Sequence, residues 1–269
     1  MSLKTQLLKN RINQKRGLIT YVNGGDPDLE TTKEIILFLA EKEVDIIELG
    51  VPFSDSITDG PQILRSHERA LKNEVMFEDI MELVREIRTE CNIPIVLLAD
   101  YSYTVKPRGF NYFLSACHCA GVNGILIHCL PPLLEDEYVS LAKKHKLETV
   151  FSLYPATNKI KREAVYKKTS GFIYLVSYYG RTGAFSGLGH ETVDFLNKIR
   201  SETHLPLAVG FGVKTVNDLE LIYSANADAA IIGSPITKIT EQNMNNKARL
   251  FSELERYITE LNANYSYTY

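Results

Sequence analysis

Val44-Asp45-Ile46-Ile47-Glu48-Leu49-Gly50-Val51-Pro52-Phe53-Ser54-Asp55-Ser56-Ile57-Thr58-Asp59-Gly60-Pro61 reads as a strand, an acidic loop and the start of a helix. Val44 to Leu49 has the character of a buried strand. Gly50 and Pro52 break it, and Gly60-Pro61 opens the helix. Strand side chains alternate, so Val44, Ile46 and Glu48 share one face while Asp45, Ile47 and Leu49 share the other. Glu48 therefore stands on an otherwise apolar face. Burying an ionised carboxylate is costly unless it finds a partner or its pKa rises, and such a group at a strand end is a candidate general acid or base. Asp59 follows in a loop able to fold back over that strand end, so two carboxylates in different surroundings can take different roles. The plainer alternative makes Glu48 a structural carboxylate held by an Arg or Lys, and Asp59 a cap on the helix after it.

Working outward, the same unit recurs. A polar and apolar pattern at helical spacing from Lys4 to Arg16, with Leu7, Leu8 and Ile12 on one face, predicts an N-terminal helix that could close the bottom of a barrel. Strands are expected at Leu18 to Val22, Val44 to Leu49, Ile93 to Ala99, Gly124 to Cys129, Glu148 to Leu153, Gly171 to Val176, Leu205 to Val209 and Ala229 to Ile232. Helices are expected at Asp28 to Lys42, Ile63 to Lys72, Phe77 to Cys91, Phe110 to Ala120, Glu135 to Lys144 and Lys159 to Lys168. Glu191 to Ser201, Val216 to Ser224 and Asn246 to Leu261 complete them. Parallel neighbours need helical crossovers, so eight strands alternating with helices predict a closed (β/α)8 TIM barrel with its active face at the C-terminal strand ends. All 269 residues are assigned to one domain. The ending, Asn262 to Tyr269, is expected to fray.

Thirty basic residues against thirty-three acidic ones give a formal charge of −3. With no long run of like charge, neither nucleic acid nor a membrane surface is the expected partner. The start, Met1-Ser2-Leu3-Lys4, leads into a Lys-rich polar segment rather than an apolar leader, and no stretch approaches the ~20 apolar residues that span a bilayer. A cytoplasmic protein is expected. The four cysteines, Cys91, Cys117, Cys119 and Cys129, form no disulfide framework. Cys117-His118-Cys119 falls in a helix where adjacent positions do not share a face, so buried thiols are expected there rather than a metal site.

The late strands carry the second set of site features. Gly210-Phe211-Gly212 ends the seventh strand and Gly233-Ser234-Pro235 ends the eighth, with Ser234 suited to cap a short extra helix and Pro235 to be its first residue. Such a helix offers free N–H groups to an anion. The loop Tyr178 to Gly189 after the sixth strand holds four glycines and has the length of a lid. Arg181 within it is either a phosphate contact or a solvated lid residue. Any one glycine turn is ordinary punctuation; three after successive late strands predict a phosphorylated substrate.

These residues resemble the alpha subunit of tryptophan synthase over nearly the whole chain. The stretch from Glu48 to Pro61 is similar to that family's Glu-Leu-Gly-x-Pro-Phe-Ser-Asp-Pro-x-Ala-Asp-Gly-Pro signature, and Thr182-Gly183, Gly210-Phe211-Gly212 and Gly233-Ser234 match in type and order. The resemblance implies retro-aldol cleavage of indole-3-glycerol phosphate to indole and glyceraldehyde 3-phosphate. Glu48 is implied as the acid/base, and Asp59 as the group that holds the indole N–H. Tyr21 and Leu126 are implied to line the indole pocket and Thr182 to orient Asp59 when the lid closes. Gly183, Gly212, Gly233 and Ser234 are implied to bind phosphate, with Phe211 beside it. No cofactor is implied for this chain, because pyridoxal phosphate would belong to the beta subunit.

Departures from the pattern fall in four places. Ser56 stands for the signature's Pro and Thr58 for its Ala. Asp100 falls where the family usually has an active-site Tyr, which would add a third carboxylate to the pocket. His128-Cys129-Leu130-Pro131 lacks the family's Asp after the fourth strand, and Asn23 replaces a Thr or Ala after the first. Ser56, Ser102 and Cys129 lie where the resemblance places contact with a beta subunit, so coupling to that partner is expected to be altered or absent. The alternatives are a stand-alone indole-releasing lyase, a lyase for a related phosphorylated substrate, and a non-catalytic activator of the beta chain. Retention of both Glu48 and Asp59 argues against the last, since a pure activator has no chemical need for Glu48.

Overall fold

The strand carrying Glu48 pairs in parallel with both of its sequence neighbours. The computed structural model describes residues 2–56, 59–176, 190–210 and 212–263. Their order begins α1 (Leu3–Ile12), β1 (Gly17–Asn23), α2 (Leu29–Glu41), β2 (Ile46–Gly50), α3 (Pro61–Lys72), α4 (Phe77–Glu90) and β3 (Ile95–Asp100). It continues with α5 (Phe110–Ala120), β4 (Gly124–His128), α6 (Glu135–Lys144), β5 (Glu148–Leu153), α7 (Lys159–Lys168), β6 (Ile173–Val176) and α8 (His190–Glu202). The remaining elements are β7 (Leu207–Gly210), α9 (Val216–Ser224), β8 (Ala229–Ile232), α10 (Ser234–Asn243) and α11 (Lys247–Ala263). The strands pair in sequence order and β8 closes on β1, giving the expected barrel.

Period-two alternation divides the core. Ile19, Ile46, Val96, Leu126, Val150 and Ile231 fill the barrel interior. Ile47, Leu49, Leu97 and Ile125 point outward into a larger cluster, where they meet helix residues such as Ile35, Ile80 and Phe113. Two strands start later than their apolar runs because Pro94 and Pro206 have no N–H to give a ladder.

The N-terminal helix does close the barrel bottom, through a different face from the one expected. Leu3 and Leu7 are fully buried in the interior cluster, whereas Ile12 is 81% exposed. Leu3 N–H donates to Glu148 Oε2 at 2.5 Å, and Arg11 forms a two-pronged contact with Asp228 at 2.5 and 2.7 Å. These polar anchors rotate the helix so that its first half enters the barrel. Truncating Leu7 to Ala is expected to cost about 3 kcal/mol, read by urea unfolding, because the barrel floor cannot collapse onto the gap.

At the other end, Arg69 on α3 joins the β1–α2 turn to α10. Its guanidinium donates to Asp26 at 2.6 and 2.9 Å and to Glu241 at 2.8 Å. Burial pushes Asp26 up despite this partner. Arg69→Met leaves the buried carboxyl unpaired, and a loss of about 3 kcal/mol in unfolding free energy is expected.

Two smaller expectations are corrected. Ser234 is the first residue of α10 and Gly233 is its cap, so Pro235 moves to the second position. Of the three-residue Cys-His-Cys run, Cys117 is buried and Cys119 exposed, as two positions on opposite helix faces must be, so only the first is a core thiol. Among the described residues no helix is long and apolar enough to cross a membrane.

Candidate active site

Glu48, the middle residue of β2, is where the strand stops being a core element. Ile46, on the same inward face two residues earlier, packs in the barrel; Glu48, one layer higher, borders a cleft at the C-terminal strand ends. Glu48 is only 2% exposed, and its Oε1 has no hydrogen-bond partner among the described residues. Burial, with a smaller contribution from the nearby charge of Asp59, pushes its carboxyl up to about 8. At neutral pH the group is therefore protonated. The same face of the strand ends at Gly50, where an added Cβ would lie 2.4 Å from the Tyr21 hydroxyl, so only glycine allows that ring its place.

Asp59 reaches the same cleft from the acidic loop. Burial pushes its carboxyl up, but hydrogen bonding from His67 and Ser56 outweighs that and leaves it below its usual value. Ser56 Oγ donates to Oδ2 at 2.7 Å, and His67 Nε2 lies 3.5 Å from the same oxygen. One carboxyl is thus held neutral and the other ionised within a single cleft. This separation lets one group act as acid while the other accepts a hydrogen bond.

The expected site residues fall into three groups. Tyr21, Gly212, Gly233 and Ser234 line the cleft with the two carboxylates. The Tyr21 hydroxyl donates to Asn23 at 3.1 Å, so that departure fixes the ring. Gly212 has φ 89°, a conformation that turns backbone toward a ligand at little cost only for glycine. The first turn of the ten-residue helix α10 begins at Ser234 and offers unpaired N–H groups to an anion.

Leu126 and Asp100 are not among the described residues lining the cleft. Leu126 lies a layer lower, inside the barrel. Asp100 ends β3, and the chain turns at once into a π-helical turn, Tyr101 to Val105. The Asp100 Oδ1 caps that turn by accepting the N–H of Ser102 at 2.7 Å and of Tyr103 at 3.0 Å. The expectation of a third carboxylate in the indole pocket is therefore corrected: the backbone of the loop takes it. Thr182, Gly183, Phe211, Arg181 and the lid loop lie outside the described residues.

Several cleft residues were not singled out from the sequence. His128 and Tyr174 follow by parity, since each sits two residues from an inward neighbour, Leu126 or Phe172. Burial pushes His128 down against the opposing pull of Asp59 and Asp100. His67 was concealed inside a helix. Among the described residues no group of three or more His, Cys, Asp or Glu could hold a metal ion.

Fold and cleft together define a barrel enzyme with a split carboxylate pair facing a helix N-terminus. The family described as tryptophan synthase alpha chain matches residues 7–266. The tryptophan synthase alpha chain of Methanoregula boonei is 38% identical over 245 residues, covering 91% of this chain and 92% of its own. That of Petrotoga mobilis is 35% identical over 265 residues, covering 97% and 99%. Among solved structures, one from the tryptophan synthase complex of Pyrococcus furiosus is 32% identical, covers 92% of this chain and 98% of its own, and superposes with a TM-score of 0.83. Another, from Aquifex aeolicus, reaches a TM-score of 0.88 at 27% identity, covering 98% and 99%. The chain belongs to the tryptophan synthase alpha chain family.

Proposed function

We propose that this chain cleaves indole-3-glycerol phosphate to indole and glyceraldehyde 3-phosphate, a lyase reaction of tryptophan biosynthesis. The observation that carries the reading is the buried Glu48, protonated at neutral pH and with Oε1 unpartnered, in one cleft with an ionised Asp59.

The protons balance on a single group. Glu48 gives its proton to indole carbon 3, and the resulting carboxylate takes the proton of the adjacent side-chain hydroxyl. As that O–H is lost the aldehyde C=O forms, the bond from carbon 3 to the side chain breaks, and its electron pair returns to the ring. Glu48 ends protonated, ready for the next turnover. Asp59 accepts the indole N–H while the ring carries positive charge, a stabilisation that strengthens toward the transition state. Tyr21 walls the ring, and Gly212, Gly233 and Ser234 receive the phosphate, with Thr182, Gly183 and Phe211 assigned to the same substrate by family resemblance. No cofactor enters these steps.

Purified chain given indole-3-glycerol phosphate should release indole and glyceraldehyde 3-phosphate in equal amounts. Absence of both products, with and without a beta subunit, would redirect the assignment to another phosphorylated substrate.

A beta subunit is the partner implied by the family, and Ser56, Ser102 and Cys129 are where we place changed coupling. Ser102 is bound into the Asp100 turn, and Cys129 is exposed at φ 55°. Titration with a beta subunit from the same genome should give little mutual activation. Activation of both half-reactions by a factor of 10 or more, about 1.4 kcal/mol of coupling, would refute altered coupling.

A further inference from the structure

We propose that Ser56 and His67 are positioning residues for Asp59, gripping Oδ2 of its carboxylate from two sides so that Oδ1 is presented to the substrate. The inference deepens the lyase reading above and rests on it for the identity of that substrate.

The two grips come from different elements. Ser56 belongs to the acidic loop and donates to Oδ2 at 2.7 Å; His67 belongs to α3 and brings Nε2 to 3.5 Å from the same atom. His67 shares the buried face of its helix with Ile63 and Ala70, at spacings where an apolar side chain would complete the packing. It is 4% exposed. A polar ring at such a position is retained at a cost unless its nitrogens have partners. Phe53 supplies one: its N–H donates to His67 Nδ1 at 3.4 Å, which assigns the ring proton to Nε2, the nitrogen that faces Asp59. The Phe53 ring also packs on the imidazole, with centroids 4.9 Å apart, so the ring is fixed in both tautomer and orientation. Phe53 in turn lies 5.7 Å from the ring of Tyr103, beside the turn after β3.

The chemistry follows from what the grip opposes. Burial favours the neutral form of Asp59, and a protonated carboxyl would present an O–H where the indole N–H must be accepted. Donors on Oδ2 reverse that preference. The other ionisable groups acting on Asp59 are Glu48 from β2, His128 from β4, Tyr21 from β1 and Tyr174 from β6. All remain in variants of Ser56 and His67, so a comparison among those variants isolates the grip.

The test is a carbon-13 NMR titration of the Asp59 carboxyl in the full-length chain. Ser56→Ala and His67→Leu should each raise its midpoint by about 1 pH unit, and His67→Gln, which can still offer a donor near the Nε2 position, should restore most of the shift. In parallel, the acid limb of kcat/KM for indole release should move up in the first two variants and return in the third. Equal Asp59 midpoints in wild type, Ser56→Ala and His67→Leu, with melting temperatures confirming folded protein, would overturn the proposal. The titration needs no turnover, so it decides this point even where indole release by the wild type fails and the lyase reading falls.

Discussion

Glu48→Gln should lower kcat for indole release by about 10³-fold or more while leaving the barrel intact. Gln has nearly the shape of a protonated Glu but no acidic proton for carbon 3 and no carboxylate to take the hydroxyl proton. Both proton transfers run through this one group, so both fail together. The loss should fall on kcat rather than on the binding of an analogue that lacks the reacting hydroxyl, such as indole-3-propanol phosphate, because Asp59 and the phosphate turns are untouched. Single-turnover assays with saturating substrate measure this directly. Turnover within about threefold of wild type would remove Glu48 from the chemistry.

The same substitution should stabilise the protein, increasingly so as pH rises. Glu48 titrates near 8 in the folded chain against 4.5 for an ordinary Glu. Between those values the folded chain keeps a proton that the unfolded chain releases. The stability linked to that proton is fully present below the unfolded value and is lost as pH rises through the folded one. Wild type should therefore lose on the order of 4 kcal/mol from this group between pH 4.5 and 9, a loss that Glu48→Gln is spared. Urea unfolding of both proteins across that range gives the difference curve; parallel curves would show that Glu48 is not buried as an uncharged acid. A residue whose removal both stabilises and inactivates is one kept for function.

Much of this was legible in the chain because two periodicities dominate it. Alternation by two placed Ile46 and Glu48 on one face and identified the strand order; helical spacing supplied the crossovers. The failures are equally local. Asp100 has the correct parity for the cleft, but the strand ends at that residue and two backbone N–H groups claim its carboxylate. Parity says which way a side chain leaves the strand, not what the next turn will ask of it. Ile12 fits the apolar stripe of α1, yet Arg11 and Leu3 are anchored elsewhere in the barrel and turn that stripe's end into solvent. His67 was the costliest omission. Helical spacing from Ile63 marks it as inward-facing, and a histidine on a buried helix face asks for a partner, but that partner comes from a loop whose path no periodicity describes. The split between Glu48 and Asp59 was likewise foreseeable only as a possibility, because its direction depends on which carboxyl the donors of Ser56 and His67 reach.

On the proposed mechanism the working form of Glu48 is the protonated acid. The pH dependence of kcat/KM for indole release tests it most directly, since that ratio reports groups on the free enzyme. An alkaline limb is expected, in which the rate falls about tenfold per pH unit above a midpoint near 8, with the limb absent from the residual activity of Glu48→Gln. A rate that holds level or climbs through pH 9 would contradict it: the ionised form of Glu48 would then be the active one, and the proton for carbon 3 would have to come from another residue of the cleft.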